Sequence, residues 1–230
     1  MSIDSFLSIT DPETALYSNG VKLIAGIDEV GRGPLAGPFI AAAVILNIED
    51  VINERRVLSE NRNNDVVSEK NQTLYASIKD SKKLTSKKRE EINKFLLDRV
   101  ISYSIVEISS VELDEMGISQ TTQTAFYKCV EGLEVKPEHI LTDAFEIKKI
   151  TKQDQTNLIN GDNRSISIAA ASIIAKVYRD TLMNREHDKY PVYGFSHNKG
   201  YGTKEHLEAI KKYGICPIHR RCFHPVSLYS

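Results

Sequence analysis

Gly26-Ile27-Asp28-Glu29-Val30-Gly31-Arg32-Gly33-Pro34-Leu35-Ala36-Gly37-Pro38 joins two apolar runs, and its reading decides the architecture. Upstream, Val21 to Asp28 is short, apolar and partly β-branched, and it leads into the adjacent acids Asp28 and Glu29. Gly31 to Pro38 is rich in glycine and proline, and Phe39 to Ile48 is apolar again. The pattern predicts strand, tight turn, strand, with two acids at the end of the first strand.

Further along, Glu49 to Asn71 is polar with weak periodicity and reads as a long surface insertion, helical in part or mobile. Thr85 and Ser86 are N-cap candidates for a helix on which Ile92, Phe95, Leu96 and Arg99 recur at helical spacing. Val100 to Ile108 alternates like a strand. Two helices are expected at Ser110 to Met116, stopped by Gly117, and at Thr121 to Glu131. His139 to Asp143 is a brief strand that again ends in an acid. Ile168 to His187 is the clearest long helix, with small alanines that allow close packing on a sheet, and Thr203 to Tyr213 is another, closed by Gly214. The order implies an α/β fold with a mixed sheet flanked by helices.

The 230 residues suit one large domain or one with a small appendage, and a 41 % hydrophobic content is enough for a continuous core. No apolar run approaches the roughly 20 residues that span a bilayer. Met1 to Gly20 lacks the basic start of a signal peptide, so a soluble cytoplasmic protein is expected. Cys129, Cys216 and Cys222 form no disulfide framework. Cys216, His219, Cys222 and His224 lie near one another, but their spacing matches no paired zinc pattern, so ordinary packing is the better reading. The net charge of −1 decides nothing about nucleic acid; the local basic groups Lys82, Lys83, Lys87, Lys88 and Arg89, and Arg220 with Arg221, carry more weight. A solvated helix start and a charged tail would explain them equally well.

The acids Asp28, Glu29, Asp143 and Asp162 are the candidate catalytic and metal-ligating groups. Four carboxylates gathered together repel one another unless cations neutralise them, and hard oxygen ligands suit Mg²⁺ or Mn²⁺. Two such ions about 4 Å apart can activate a water and stabilise the leaving oxygen in phosphodiester hydrolysis. Taken singly, each acid also reads as a cap or turn residue, Asp162 in Asn160-Gly161-Asp162 most readily. Gly31-Arg32-Gly33 allows close backbone approach to a ligand and offers an arginine for phosphate, though a plain tight turn fits as well. It is no Walker loop, because no Gly-Lys-Ser/Thr follows.

Gly26 to Pro38 resembles the signature of the ribonuclease HII family. Asp80-Ser81-Lys82-Lys83-Leu84 is similar to that family's basic segment, and Ser167 to Val177 to its long helix. Tyr193-Gly194-Phe195 with Lys199 to His206 is similar to its late segment. The resemblance implies a ribonuclease H-like fold, divided into an N-terminal extension (1–20), a catalytic domain (21–190) and a small C-terminal helical segment (191–230) that completes the substrate site. It places the metal-site acids at Asp28, Glu29, Asp143 and Asp162. Gly31, Arg32 and Gly33 would sense the ribose 2′-hydroxyl, and Tyr201 would stack on the neighbouring deoxyribose. Without the resemblance, Tyr201 reads as a buried ring with its hydroxyl bonded. Lys82, Lys176 and Lys199 would contact phosphates, with Asp180 an ion-pair partner one turn after Lys176.

The activity implied is an endonuclease that hydrolyses the RNA strand of RNA/DNA hybrids. It would also cut 5′ of single ribonucleotides in duplex DNA, leaving 3′-hydroxyl and 5′-phosphate ends with two Mn²⁺ or Mg²⁺ ions. Its partners would be those nucleic acids and no membrane, in ribonucleotide repair and replication, and a monomer is expected. The Gly-Arg-Gly distinguishes the chain from the ribonuclease HIII type, which lacks it. Two departures stand out: a longer segment near Ile52 to Gln72, and little chain after Arg220-Arg221-Cys222-Phe223 for a further helix. A DNA-junction resolvase on the same fold, a non-catalytic hybrid-binding protein and a nucleotide-binding module on the glycine turn are the competing classes.

Overall fold

A computed structural model of the chain describes residues 12–62, 75, 78 and 84–229. Lys82 and Lys83, and the insertion beyond residue 62, lie outside the described residues. Five strands form one sheet in the order β3-β2-β1-β4-β5, with β1 at Ile24–Val30, β2 at Phe39–Ile45, β3 at Ser102–Ile108, β4 at His139–Asp143 and β5 at Gln155–Leu158. β1 pairs antiparallel with β2 and parallel with β4, so the sheet is mixed as expected. The first strand carries both acids at its end, as expected, and stops one residue later at Val30.

Alternation along the strands divides the apolar side chains between two cores. Ile24, Ile40, Ala42 and Val44 meet the long helix Ile166–Lys189 on one face. Ala25, Ile27, Phe39, Ala41, Ala43 and Ile45 meet the helix Ser110–Glu131 on the other. Among the described residues, in chain order, the helices of four residues or more are α1 (Pro12–Ser18), α2 (Ile48–Arg62), α3 (Ser86–Leu97), α4 (Ser110–Glu131), α5 (Gly161–Arg164), α6 (Ile166–Lys189), α7 (Phe195–Asn198) and α8 (Lys204–Tyr213). α4 is two helices joined at a non-helical Gly117 (φ 71°, ψ 157°), the stop expected there. The start of the polar insertion is the regular helix α2, which buries Val51 against the first core.

Local capping works as the sequence predicts. Thr85 accepts from the Lys88 N–H at 3.3 Å, and Ser109 with Glu112 forms a capping box on α4. The start of α6 is fastened by Glu13 of α1, a buried carboxylate that accepts from Ser165 Oγ at 2.5 Å and from the Ser167 N–H at 2.8 Å. A third apolar cluster, with Leu35, Ala36, Met183, Tyr193, Phe195 and Ile210 among its members, unites the turn after β1 with the end of the chain. No helix among the described residues is long and apolar enough to cross a membrane.

A candidate carboxylate active site

Parallel pairing of β1 with β4 sets Ile27 opposite Thr142, so the next residues, Asp28 and Asp143, emerge side by side at the C-terminal ends of these two interior strands. β4 then pairs with β5, and the chain turns back through Asn160 into α5, which carries Asp162. The Gly161 N–H donates to Asp143 Oδ1 at 2.8 Å, tying that turn to the strand end. All four acids line one cleft of about 370 Å³ together with Val30, Arg89, Ser172, Ile173 and Lys176. Asp28 and Asp162 are buried, and Glu29 and Asp143 half-buried.

The environment is hostile to isolated negative charge. Burial pushes the Asp28 carboxyl up to about 7, with Asp143 and Asp162 adding to the rise while Ser172 and the Glu29 N–H oppose it. Burial likewise takes Glu29 to about 8, helped by Asp28 and Asp143 and opposed by Arg32. Glu29 Oε2 is buried without a hydrogen-bond partner. Among the described residues no three such side chains already converge as a finished ligand set; the acids ring the cleft. An orphaned carboxylate oxygen among mutually repelling, all-oxygen donors nevertheless has the chemistry that hard divalent cations satisfy.

Of the remaining expected site residues that are described, Lys176 alone lines this cleft. Gly31 has φ +88°, and a Cβ there would lie 2.4 Å from Arg179 Nε, so both backbone and space demand glycine. A Cβ on the exposed Gly33 would meet nothing within 4 Å. Arg32 does not hang free: its guanidinium donates to Thr122 Oγ1 at 2.8 Å and sits 4.5 Å from the Phe145 ring centre. Lys176 lines the cleft and is held by Asp180 at 2.7 Å, the expected ion pair. Lys199 lies in a neighbouring cleft with Arg89, Asp180 and Asn184, and donates to the Asn184 side chain. Tyr201 is 43 % exposed, so the reading of a buried ring fails for it. Lys82 lies outside the described residues.

Arg220 corrects the sequence reading. It belongs to no surface patch, being fully buried, while Arg221 beside it is exposed. Its guanidinium donates to the carbonyls of Gly37 (3.0 Å), Arg32 (3.2 Å) and Gly31 (2.6 Å). Arg179, equally buried, donates to Pro38 (3.0 Å), Ala36 (3.1 Å) and Lys199 (2.9 Å). Burial lowers both, Arg179 to about 10 and Arg220 to about 9, which leaves both charged at neutral pH. Two rigid donor forks thus shape the glycine–arginine turn and tie it to the Tyr201 loop. Replacing Arg220 with Met should cost on the order of 3 kcal/mol in a denaturant melt, because three carbonyls lose their donor. A loss below about 0.5 kcal/mol, typical of surface changes, would show that this fork is dispensable.

Sequence reasoning also missed Ser172, which donates to Asp28 from α6. A lone hydroxyl within the apolar Ile168 to Ala175 run was its only signal. The zinc reading finds no support, since Cys216 and His219 touch in the core whereas Cys222 is exposed and its N–H bonds Asp114.

A mixed five-stranded sheet, helices on both faces and a carboxylate cleft at the end of β1 and β4 define a ribonuclease H-like α/β protein. The ribonuclease HII family model matches residues 66–226. A ribonuclease HII of Clostridium botulinum is 46 % identical over 207 residues, covering 90 % of this chain and 69 % of the relative. Among solved structures, the ribonuclease H2 of Pyrococcus horikoshii superposes with a TM-score of 0.69 at 24 % identity, covering 90 % of this chain and 96 % of that one. The ribonuclease HII of Archaeoglobus fulgidus, solved in complex with PCNA, gives 0.67 at 26 % identity over 86 % and 92 %. The chain belongs to the ribonuclease HII family, and is thereby a ribonuclease H enzyme.

Proposed function

We propose that this ribonuclease H hydrolyses the RNA strand of RNA/DNA hybrids and cuts on the 5′ side of single ribonucleotides embedded in duplex DNA, leaving 3′-hydroxyl and 5′-phosphate ends. The observation that carries the reading is the assembly of Asp28, Glu29, Asp143 and Asp162 around one cleft that adjoins the Gly31–Gly33 turn. Those four side chains would hold two divalent ions, Mn²⁺ or Mg²⁺, whose bound charge would polarise the scissile phosphate and stabilise the developing oxyanions. Ser172 orients Asp28, and Arg32 draws on Glu29 from the turn side. Lys176, steadied by Asp180, and Lys199 supply positive charge along the path a phosphate backbone would take. Lys82 is assigned to the same task.

Selection between ribose and deoxyribose falls to main-chain groups of Gly31, Arg32 and Gly33. The open space over Gly33 admits a sugar close to the backbone. The Arg220 fork keeps the Gly31 and Arg32 carbonyls in place. Only RNA offers the 2′-hydroxyl they would read. The exposed Tyr201 ring is the surface on which the adjacent deoxyribose would rest.

Incubation with Mn²⁺ or Mg²⁺ and two labelled duplexes tests this directly, one all DNA and one holding a single ribonucleotide. Cleavage of only the second, on its 5′ side and abolished by chelation, is expected. Cleavage of both would overturn the selection for ribose, and cleavage of neither would overturn cutting at single ribonucleotides.

A further inference from the structure

Beneath the Tyr201 loop lie two buried histidines that the catalytic reading does not use. His206 is fully buried and His219 is 2 % exposed, and their Nε2 atoms stand 3.1 Å apart. Their outer nitrogens determine where the protons sit. His206 Nδ1 lies 2.9 Å from the Tyr201 carbonyl, which only accepts, so Nδ1 bears the proton. His219 Nδ1 faces the Cys216 N–H at 2.9 Å, which only donates, so that nitrogen is bare. The Cys216 thiol also reaches it at 3.1 Å, and the Cys216 carbonyl is further off at 3.3 Å. Between the rings, His219 Nε2–H therefore donates to a bare His206 Nε2. One run of donors results, from the Cys216 amide through both imidazoles to the Tyr201 carbonyl.

The arrangement holds only while both rings are neutral. A proton added to His206 would set two N–H groups against each other across 3.1 Å, and one added to His219 would confront the Cys216 N–H. The groups facing the pair are the rings of Tyr193 and Phe195 and the Cys216 thiol, none of which supplies negative charge at neutral pH. Burial accordingly lowers both imidazoles, His219 to about 4.

The two ends of this run meet the two substrate-facing elements. His219 pairs its backbone with Ala36 in an isolated antiparallel bridge inside the Gly31–Pro38 turn. Gly200, beside Tyr201, comes so near that turn that a Cβ there would lie 2.2 Å from the Ala36 carbonyl. Tyr201 stands between two glycines with its ring in solvent, so its placement depends on main-chain anchors. The Thr203 N–H at 2.8 Å and His206 at 2.9 Å both hold its carbonyl.

We infer that His206 and His219 are positioning residues, a neutral pair locked in opposite tautomers that sets Tyr201 against the glycine–arginine turn and so tunes ribonucleotide selection. The part about selection rests on the role assigned to Tyr201 above; the tautomer lock does not. Two-bond ¹H–¹⁵N spectra of the full chain labelled at histidine read the tautomers without any reference to activity. Expected are Nδ1–H for His206, Nε2–H for His219, and no titration of either near the ordinary value of about 6.5. Nε2–H on His206, or ordinary titration of either ring, would overturn the lock.

The positioning role is read by kinetics. His206→Leu should raise KM on the single-ribonucleotide duplex about tenfold, the effect of one buried hydrogen bond, with kcat much less affected. His206→Asn, whose amide reaches the same carbonyl, should recover most of the loss, and it remains informative if the leucine variant fails to fold. Tyr201→Ala separates the two layers. If it raises KM while a folded His206→Leu leaves KM unchanged, the histidine role is wrong; if it leaves KM unchanged, the role assigned to Tyr201 falls and the selection claim falls with it.

Discussion

Asp28→Asn should abolish turnover while leaving the fold intact or firmer. The side chain is 7 % exposed, receives the Ser172 hydroxyl and the Glu29 N–H, and faces Asp143 and Asp162. Asparagine keeps nearly the same volume and can still accept both hydrogen bonds through its amide oxygen. It removes a carboxyl whose buried negative charge is disfavoured, as its rise to about 7 records, so in metal-free buffer the melting temperature is expected to hold or rise. Activity should fall about a thousandfold or more, equivalent to roughly 4 kcal/mol of lost transition-state stabilisation at a metal-assisted site.

A third reading completes the case. Added Mn²⁺ should raise the melting temperature of the unmodified chain, since a ligand that binds only the folded state stabilises it by mass action, and should raise that of Asp28→Asn much less. Retained turnover in the variant would sink the assignment of Asp28 as a ligand. Equal Mn²⁺ shifts in both proteins would place the cation elsewhere. A variant that no longer folds would contradict the view that this carboxylate serves catalysis at the expense of stability.

How far the sequence alone leads depends on whether a residue's role is local. β1, β2 and their acids are legible because apolar runs that alternate between two buried faces end in Asp28 and Glu29 beside glycine and proline. α6 is legible because its alanines and isoleucines keep a helical period over many turns. β5 is not: Gln155-Thr156-Asn157-Leu158 has three polar residues, and what makes it a strand is pairing with β4 at the sheet edge. Arg220 is the clearest failure. Beside Arg221 near the end of the chain it looks like half of a basic patch, and its burial follows from carbonyls more than 180 positions earlier in the chain. Ser172 shares that difficulty, for nothing in its own helix shows that Asp28 lies opposite. The carboxylate cluster falls between these cases. Each acid occupies a recognisable strand end or turn, yet only parallel pairing of β1 with β4 and the return through α5 bring all four to one cleft.

Gly26→Ala should damage the protein far more deeply than Gly33→Ala in the glycine–arginine turn. Gly26 lies two residues before Asp28 on the face of β1 that α6 covers. A Cβ added there would stand 2.1 Å from the Ser167 carbonyl carbon, 2.3 Å from the Ile168 nitrogen and 2.5 Å from the Ser167 oxygen. All three are backbone atoms of the first turns of α6, so no side-chain rotation relieves the clash. The helix must retreat, and its start is also fixed by Glu13 through Ser165 and Ser167. Retreat loosens the core around Ile24, Ile168 and Ala171, and it moves Ser172 away from Asp28. A loss of about 4 kcal/mol or more is expected, in the range reserved for severe core strain, and failure to fold is the limiting case. Gly33→Ala is the control from the same stretch. Its added methyl meets nothing within 4 Å, so it should melt within about 0.5 kcal/mol of the unmodified chain even if the methyl obstructs a bound sugar. Denaturant melts of the two variants side by side decide the matter. Equal stability would mean that α6 does not rest rigidly on β1, and the placement of Ser172 over Asp28 would lose its physical basis.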